Sequence, residues 1–189
     1  MSKRSALREL SRRFPAPREI KKIMDSLRNK DDLHAAIIAV SIVEASLEQL
    51  IVTRLKKSDK DLLDRLFQNR GPLSDFNSKI LIAEAFGILT GPLAEELHVM
   101  RAVRNAFAHA KMHLSFADQP VALEVSRLRL GLGLKGAKLP ISNEGAPEFH
   151  LAEKDAFLLA IRIALIILDE IRKKKSTADK VIARALRIK

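Results

Sequence analysis

The chain has no cysteine, no tryptophan and no tyrosine. Without Cys there is no disulfide, no thiolate nucleophile and no sulfur ligand for a metal, a composition that suits a reducing cytosol. A cytoplasmic location is the expectation. Eight Phe are the only aromatics, so the broad stacking platforms that hold single-stranded nucleic acid are scarce. There is no G-x-S-x-G, no H-E-x-x-H and no Walker A sequence, which leaves serine-triad and zinc hydrolysis without support. No signal peptide is evident, because the first 30 residues are charged throughout. The longest run of apolar residues, Ala156–Leu168, is too short to span a bilayer and contains Arg162. No membrane association and no internal repeat are expected.

What is present is a chain of 189 residues, 47% of them hydrophobic, long enough for one well-filled domain over 1–189. Its net charge of +11 is unevenly spread. Residues 1–30 hold 10 Lys/Arg against 3 Asp/Glu, and residues 171–189 hold 8 against 1, so each end carries +7. Residues 31–170 hold 16 against 19 and carry −3. The basic character therefore lies at the ends: an arm over 1–16 and a tail over 176–189. Such ends either hold nucleic acid through phosphate contacts or are solvated helix surfaces.

Hydrophobic spacing predicts helices along most of the chain. Residues 2–14 form a basic helix or arm, broken by Pro15 and Pro17. Arg18–Arg28 resumes with Ile20, Ile23, Met24 and Leu27 on one face. Asp31 or Asp32 caps a helix over Leu33–Lys57 that is apolar almost all round, which places it at the centre of a bundle. Glu44 lies on its apolar stripe with Glu48 one turn later. A carboxylate there needs a partner, and Arg101 or Arg104 is the best available; the alternative is a bundle edge where Glu44 reaches water. Ser58 caps Asp59–Gln68, and Ser74 or Asp75 caps Phe76–Leu89. Asp118 caps a short helix with Pro120 in its first turn. Leu128, Leu130, Leu132 and Leu134 alternate like a strand, and the Gly- and Pro-rich stretch that follows predicts a loop or small hairpin over 131–150. Ala152–Lys175 is the last long helix, with Arg162 turned to solvent, and Asp179–Lys189 a loose terminal one. The fold class is all-α: an up-and-down bundle of about five main helices.

The stretch with the most chemistry is Leu93–His109, LAEELHVMRAVRNAFAH. Residues four apart stack on one helix face, so Arg101, Asn105 and His109 make a polar stripe that the long side chain of Arg104 can reach. Arg offers a rigid fork of donors to phosphate or carboxylate, His exchanges protons near neutral pH, and Asn both donates and accepts. Two readings stand. The cluster is a polar lock within the bundle, its cations placed at a helix C-terminus by the helix dipole, or it is a site that handles phosphate. Two other patterns fail. Gly131–Gly136 matches G-x-G-x-x-G, but Pro140 and its neighbours deny the helix that a dinucleotide fold requires. His109 and His113 are spaced to share a metal, but no third ligand is evident. No cofactor and no metal are expected.

Arg104–His109, read as R-N-x-x-x-H, resembles the signature helix of the HEPN superfamily, many of whose members are metal-independent ribonucleases. By that resemblance His109 would be the acid/base at the ribose 2′-hydroxyl, Arg104 would hold the scissile phosphate and Asn105 would orient the site, with two subunits pooling Arg104 and His109 around one RNA strand. A second resemblance covers more of the chain. GPLSDFNSKILIAEAFGILT (Gly71–Thr90), LHVMRAVRNAFAH (Leu97–His109) and SFADQPV (Ser115–Val121) are similar to the mannitol operon repressor (MltR) family. That family carries a PLS-x-F-S-x-K-I segment, an I-R-x-I-R-N-x-F-A-H-like helix and F-x-D-P. Asn77 replaces a small residue, and Glu84 stands where an aromatic is common. This resemblance implies an all-α fold and a regulatory, transcription-related interaction protein that is not a catalyst. The family lacks an evident helix-turn-helix. The expectation is a homodimer with a protein or nucleic-acid partner; the alternative is a toxin-like ribonuclease using Arg104, Asn105 and His109.

Overall fold

The computed structural model describes residues 14–68, 70–130 and 152–174. These form seven helices and, among the described residues, no strand: α1 (Pro17–Arg28), α2 (Asp32–Val52), α3 (Lys60–Phe67), α4 (Phe76–Ala85), α5 (Gly91–His109), α6 (Gln119–Ser126) and α7 (Glu153–Lys174). The all-α expectation holds. The predicted arm before Phe14, the excursion over 131–150 and the terminal helix over 179–189 lie outside the described residues.

α2 is the central rod. Ala35, Ala36, Ala39, Val40, Val43, Leu47 and Leu50 are fully buried along it, and it packs chiefly on α7 and α5. By length and composition α2 is apolar enough to cross a bilayer, a stretch longer than Ala156–Leu168, the one singled out by sequence; half of it is buried inside the fold, as in a core helix. α1 lies on α7, α4 fills the corner between α5 and α2, and α6 bridges α5 and α7. A chain of Phe rings ties the far end of the bundle together. Phe107 of α5 meets Phe116 at 4.8 Å between ring centroids, and Phe116 meets Phe157 of α7 at 5.2 Å, within the range of favourable tilted ring pairs.

The helix starts follow from short carboxylates satisfying the free N–H groups of the first turn. Asp31, Asp59 and Asp75 accept from the amides of His34, Leu62 and Ser78 at 2.9, 3.0 and 3.0 Å. Asp59 therefore caps α3, not Ser58. Asp118 occupies the N-cap of α6, but its carboxylate makes no cap bond within that helix and accepts instead from the Ser115 amide at 2.8 Å. Two helices stop earlier than predicted. α2 ends at Val52 rather than Lys57, because the amides of Arg54 and Leu55 turn back three residues to Ile51 and Val52. The Thr53 hydroxyl takes the Leu50 carbonyl at 2.7 Å, and Arg54 reaches across to the Ile171 carbonyl at 3.2 Å. α4 ends at Ala85 rather than Leu89, through a left-handed Gly87 with φ +63°. The strand-like spacing from Leu128 begins in a turn, where Leu128 is buried.

Candidate functional site

The polar groups gather in a seam between α2, α4 and α5. Glu44 and Glu48 stand one turn apart on α2. Between them lies the ammonium of Lys79 from α4, 2.9 Å from Glu44 Oε1 and 3.0 Å from Glu48 Oε2. Lys79 is 4% exposed. A lysine can occupy such a place only when its charge is matched, and two carboxylates do so here. Arg104 of α5 adds a longer contact, 3.4 Å from its terminal nitrogen to Glu44 Oε2.

The pairing differs from the sequence expectation in its main member. Arg104 does reach Glu44, but Lys79 is nearer and more deeply buried, and Arg101 has no hydrogen bond or ion pair among the described residues. Lys79 was present in the S-x-K-I segment without a role. Its signal was a cation between the buried Phe76 and Ile80, on the same helix turn as both. Arg101 and Arg104 are half-buried, and the Nε atoms of both are buried without an acceptor. Asn105 is half-buried, while His109, the last residue of α5, is exposed. The predicted stripe of Arg101, Asn105 and His109 thus runs from two half-buried residues out to solvent at His109, while Arg104 turns aside to Glu44. His98, one turn before Arg101, is held below the usual imidazole range by burial and then by the Arg101 charge, with Glu84 acting the other way.

Two further carboxylates make defined contacts outside the seam. Asp32, at the start of α2, accepts from the Ser115 hydroxyl at 2.9 Å and the Phe116 amide at 3.0 Å, and lies 3.2 Å from the Lys154 ammonium of α7. The SFADQPV segment is therefore the piece that locks onto α2. Glu96, on the buried face of α5, accepts from the amides of Arg129 and Leu130 at 2.7 and 3.3 Å. Burial pushes its carboxyl above the usual range despite those two bonds. Among the described residues no three His, Asp or Glu side chains are grouped to hold a metal ion. Most of both basic ends, 1–13 and 175–189, falls outside the described residues.

Set against known proteins, the chain matches no family model and no curated protein. Its fold is similar to that of a chain in the X-ray structure of the MtlR–HPr complex from Escherichia coli, with a TM-score of 0.59 and 17% identity. The likeness covers 78% of this chain and 96% of that one. At that identity it shows the fold: an MltR-like helical bundle.

Proposed function

We propose that the protein is a regulatory, transcription-related interaction module of the mannitol-repressor-like type, cytoplasmic and homodimeric, acting by docking a protein partner and not by catalysis. The observation that carries this is the shared fold over nearly the whole of a chain solved in a protein–protein complex. The seam supports it. Glu44, Glu48, Lys79 and Arg104 neutralise one another, so much of the cluster is committed to holding α2, α4 and α5 together. The natural first probe is HPr itself. Titration calorimetry of the full chain with Escherichia coli HPr is expected to give saturable binding with Kd of about 100 µM or tighter. Flat heats up to about 1 mM HPr would count decisively against it.

A second reading, a HEPN-type ribonuclease, is favoured by one feature: Arg104 and the exposed His109 share a helix. Against it, a phosphate at Arg104 would have to compete with the Glu44 carboxylate already 3.4 Å away. It predicts metal-independent RNA cleavage in EDTA that His109→Ala abolishes while the melting temperature is unchanged. Intact RNA with the unmodified chain, across several substrates, removes it.

A further inference from the structure

Lys79 and Arg104 are directly paired in the seam, and the next arginine along α5 is not. The carboxylates of Glu44 and Glu48 take up Lys79 and Arg104, two anions against two cations. Arg101 is left over. It is half-buried, its Nε is buried without an acceptor, and among the described residues it makes no hydrogen bond or ion pair. A guanidinium partly withdrawn from water with no carboxylate at ion-pair distance is unfavourable, and an incoming oxyanion relieves that. His98 stands three residues earlier on the same face. We propose that Arg101 and His98 receive the carboxylate of an acidic side chain carried by a protein partner, with the guanidinium supplying the charge and the imidazole a second hydrogen bond. This rests on the interaction-module reading and names the partner chemistry that reading lacks.

The neighbourhood favours a protein over a free anion. α4 brings Glu84 near enough to His98 to act on its charge, and the same helix and its cap carry Leu81 and Phe86, 52% and 69% exposed. Exposed apolar side chains on the helix that packs against α5 give a protein partner area to bury, which a free anion cannot use. Burial and then the Arg101 charge hold His98 below the usual imidazole range; its ring has an N–H to donate in either protonation state, and a bound carboxylate adds the opposite charge that draws its pKa upward.

The test uses the isotope-labelled full chain with two probes, a blocked hexaglutamate peptide and inorganic phosphate, reading the Arg Nε–H and His ring signals by NMR. The peptide is expected to give saturable shifts at Arg101 and His98 and an upward move of the His98 titration. Affinity should fall about tenfold in Arg101→Gln, fall less in Arg101→Lys, and hold in Arg18→Gln on the exposed side of α1. Unchanged affinity in Arg101→Gln, or phosphate saturating below the peptide, overturns the assignment. The two proposals fail separately. Peptide bound at Arg101 without HPr binding removes the HPr reading alone, and HPr bound equally well by Arg101→Gln removes this one alone.

Discussion

Lys79 carries a full charge into a position 4% exposed. Removing an ammonium from water costs several kcal/mol even after relaxation, and only close, well-placed anions offset it. Glu44 and Glu48 supply them at 2.9 and 3.0 Å. Taking the lysine away is therefore worse than taking the whole group away. Lys79→Met leaves two half-buried carboxylates one turn apart with only the longer Arg104 contact, and is expected to cost about 2–4 kcal/mol in urea unfolding. Lys79→Met with Glu44→Gln and Glu48→Gln should recover a good part of that, through non-additivity within one network. A single variant within about 0.5 kcal/mol of the parent would show that the triad contributes nothing net. The need for a partner at Glu44 was legible in the sequence, because a carboxylate interrupted an apolar stripe. Which cation answered it was not. Lysine is the residue least often buried, and which of α4 and α5 comes closer to Glu44 is set by packing between elements that no local pattern encodes.

At the scale of elements, periodicity located the helices and misplaced some of their ends. Ile88 and Leu89 continue the apolar spacing of α4, but both are buried after the chain has turned. The turn is a Schellman arrangement. The Ile88 amide returns to the Ala83 carbonyl and the Gly87 amide to the Glu84 carbonyl, each at 2.8 Å, and Gly87, the first residue past the cap, must be left-handed. Gly71 is a different kind of glycine. A Cβ there would stand 2.3 Å from the Arg65 carbonyl oxygen and 2.5 Å from that of Leu66. Both are backbone atoms at the end of α3, where Leu66 also accepts from the Leu73 amide at 2.9 Å. The Gly-Pro pair was readable as punctuation; that the loop crosses directly over the last turn of α3 was not. Gly87→Ala, which meets open space and incurs only the left-handed penalty, is expected to lose about 1–2 kcal/mol. Gly71→Ala must move backbone and should lose more, about 2–3 kcal/mol. Thermal unfolding of the two variants gives the order, and Gly71→Ala proving the milder would show that the loop over α3 yields freely.

Across the whole molecule, Asp32 joins parts of the chain that are far apart in sequence. It sits at the first turn of α2, binds the Ser115–Phe116 turn after α5, and meets Lys154 on α7, beside the Phe107–Phe116–Phe157 ring chain. Lys154 also donates to the Lys30 carbonyl just before α2. Burial on its own would raise the Asp32 carboxyl, but the Phe116 amide, the Ser115 hydroxyl and Lys154 outweigh it and hold the group below its ordinary 3.8. A depressed carboxyl contributes stability that is present above its unfolded pKa and is lost as pH falls through the folded one. Asp31 and Asp75 are held low by their cap bonds to His34 and Ser78, so they act in the same sense and persist when Asp32 is changed. Glu96, raised by burial, acts oppositely: its contribution is full below the unfolded value and declines as pH rises through the folded one. Asp32→Asn isolates one member of this set. At pH 7 it is expected to be about 1–2 kcal/mol less stable than the parent, the worth of hydrogen bonds to a charged group that is partly solvated. Below about pH 4 the parent begins to lose the same contribution by protonation, so the gap between the two should narrow and close as acid is added. Urea unfolding of both chains at pH 7, 4 and 3 reads this directly. A gap that stays constant down to pH 3 would mean that Asp32 holds the bundle by shape and not by charge.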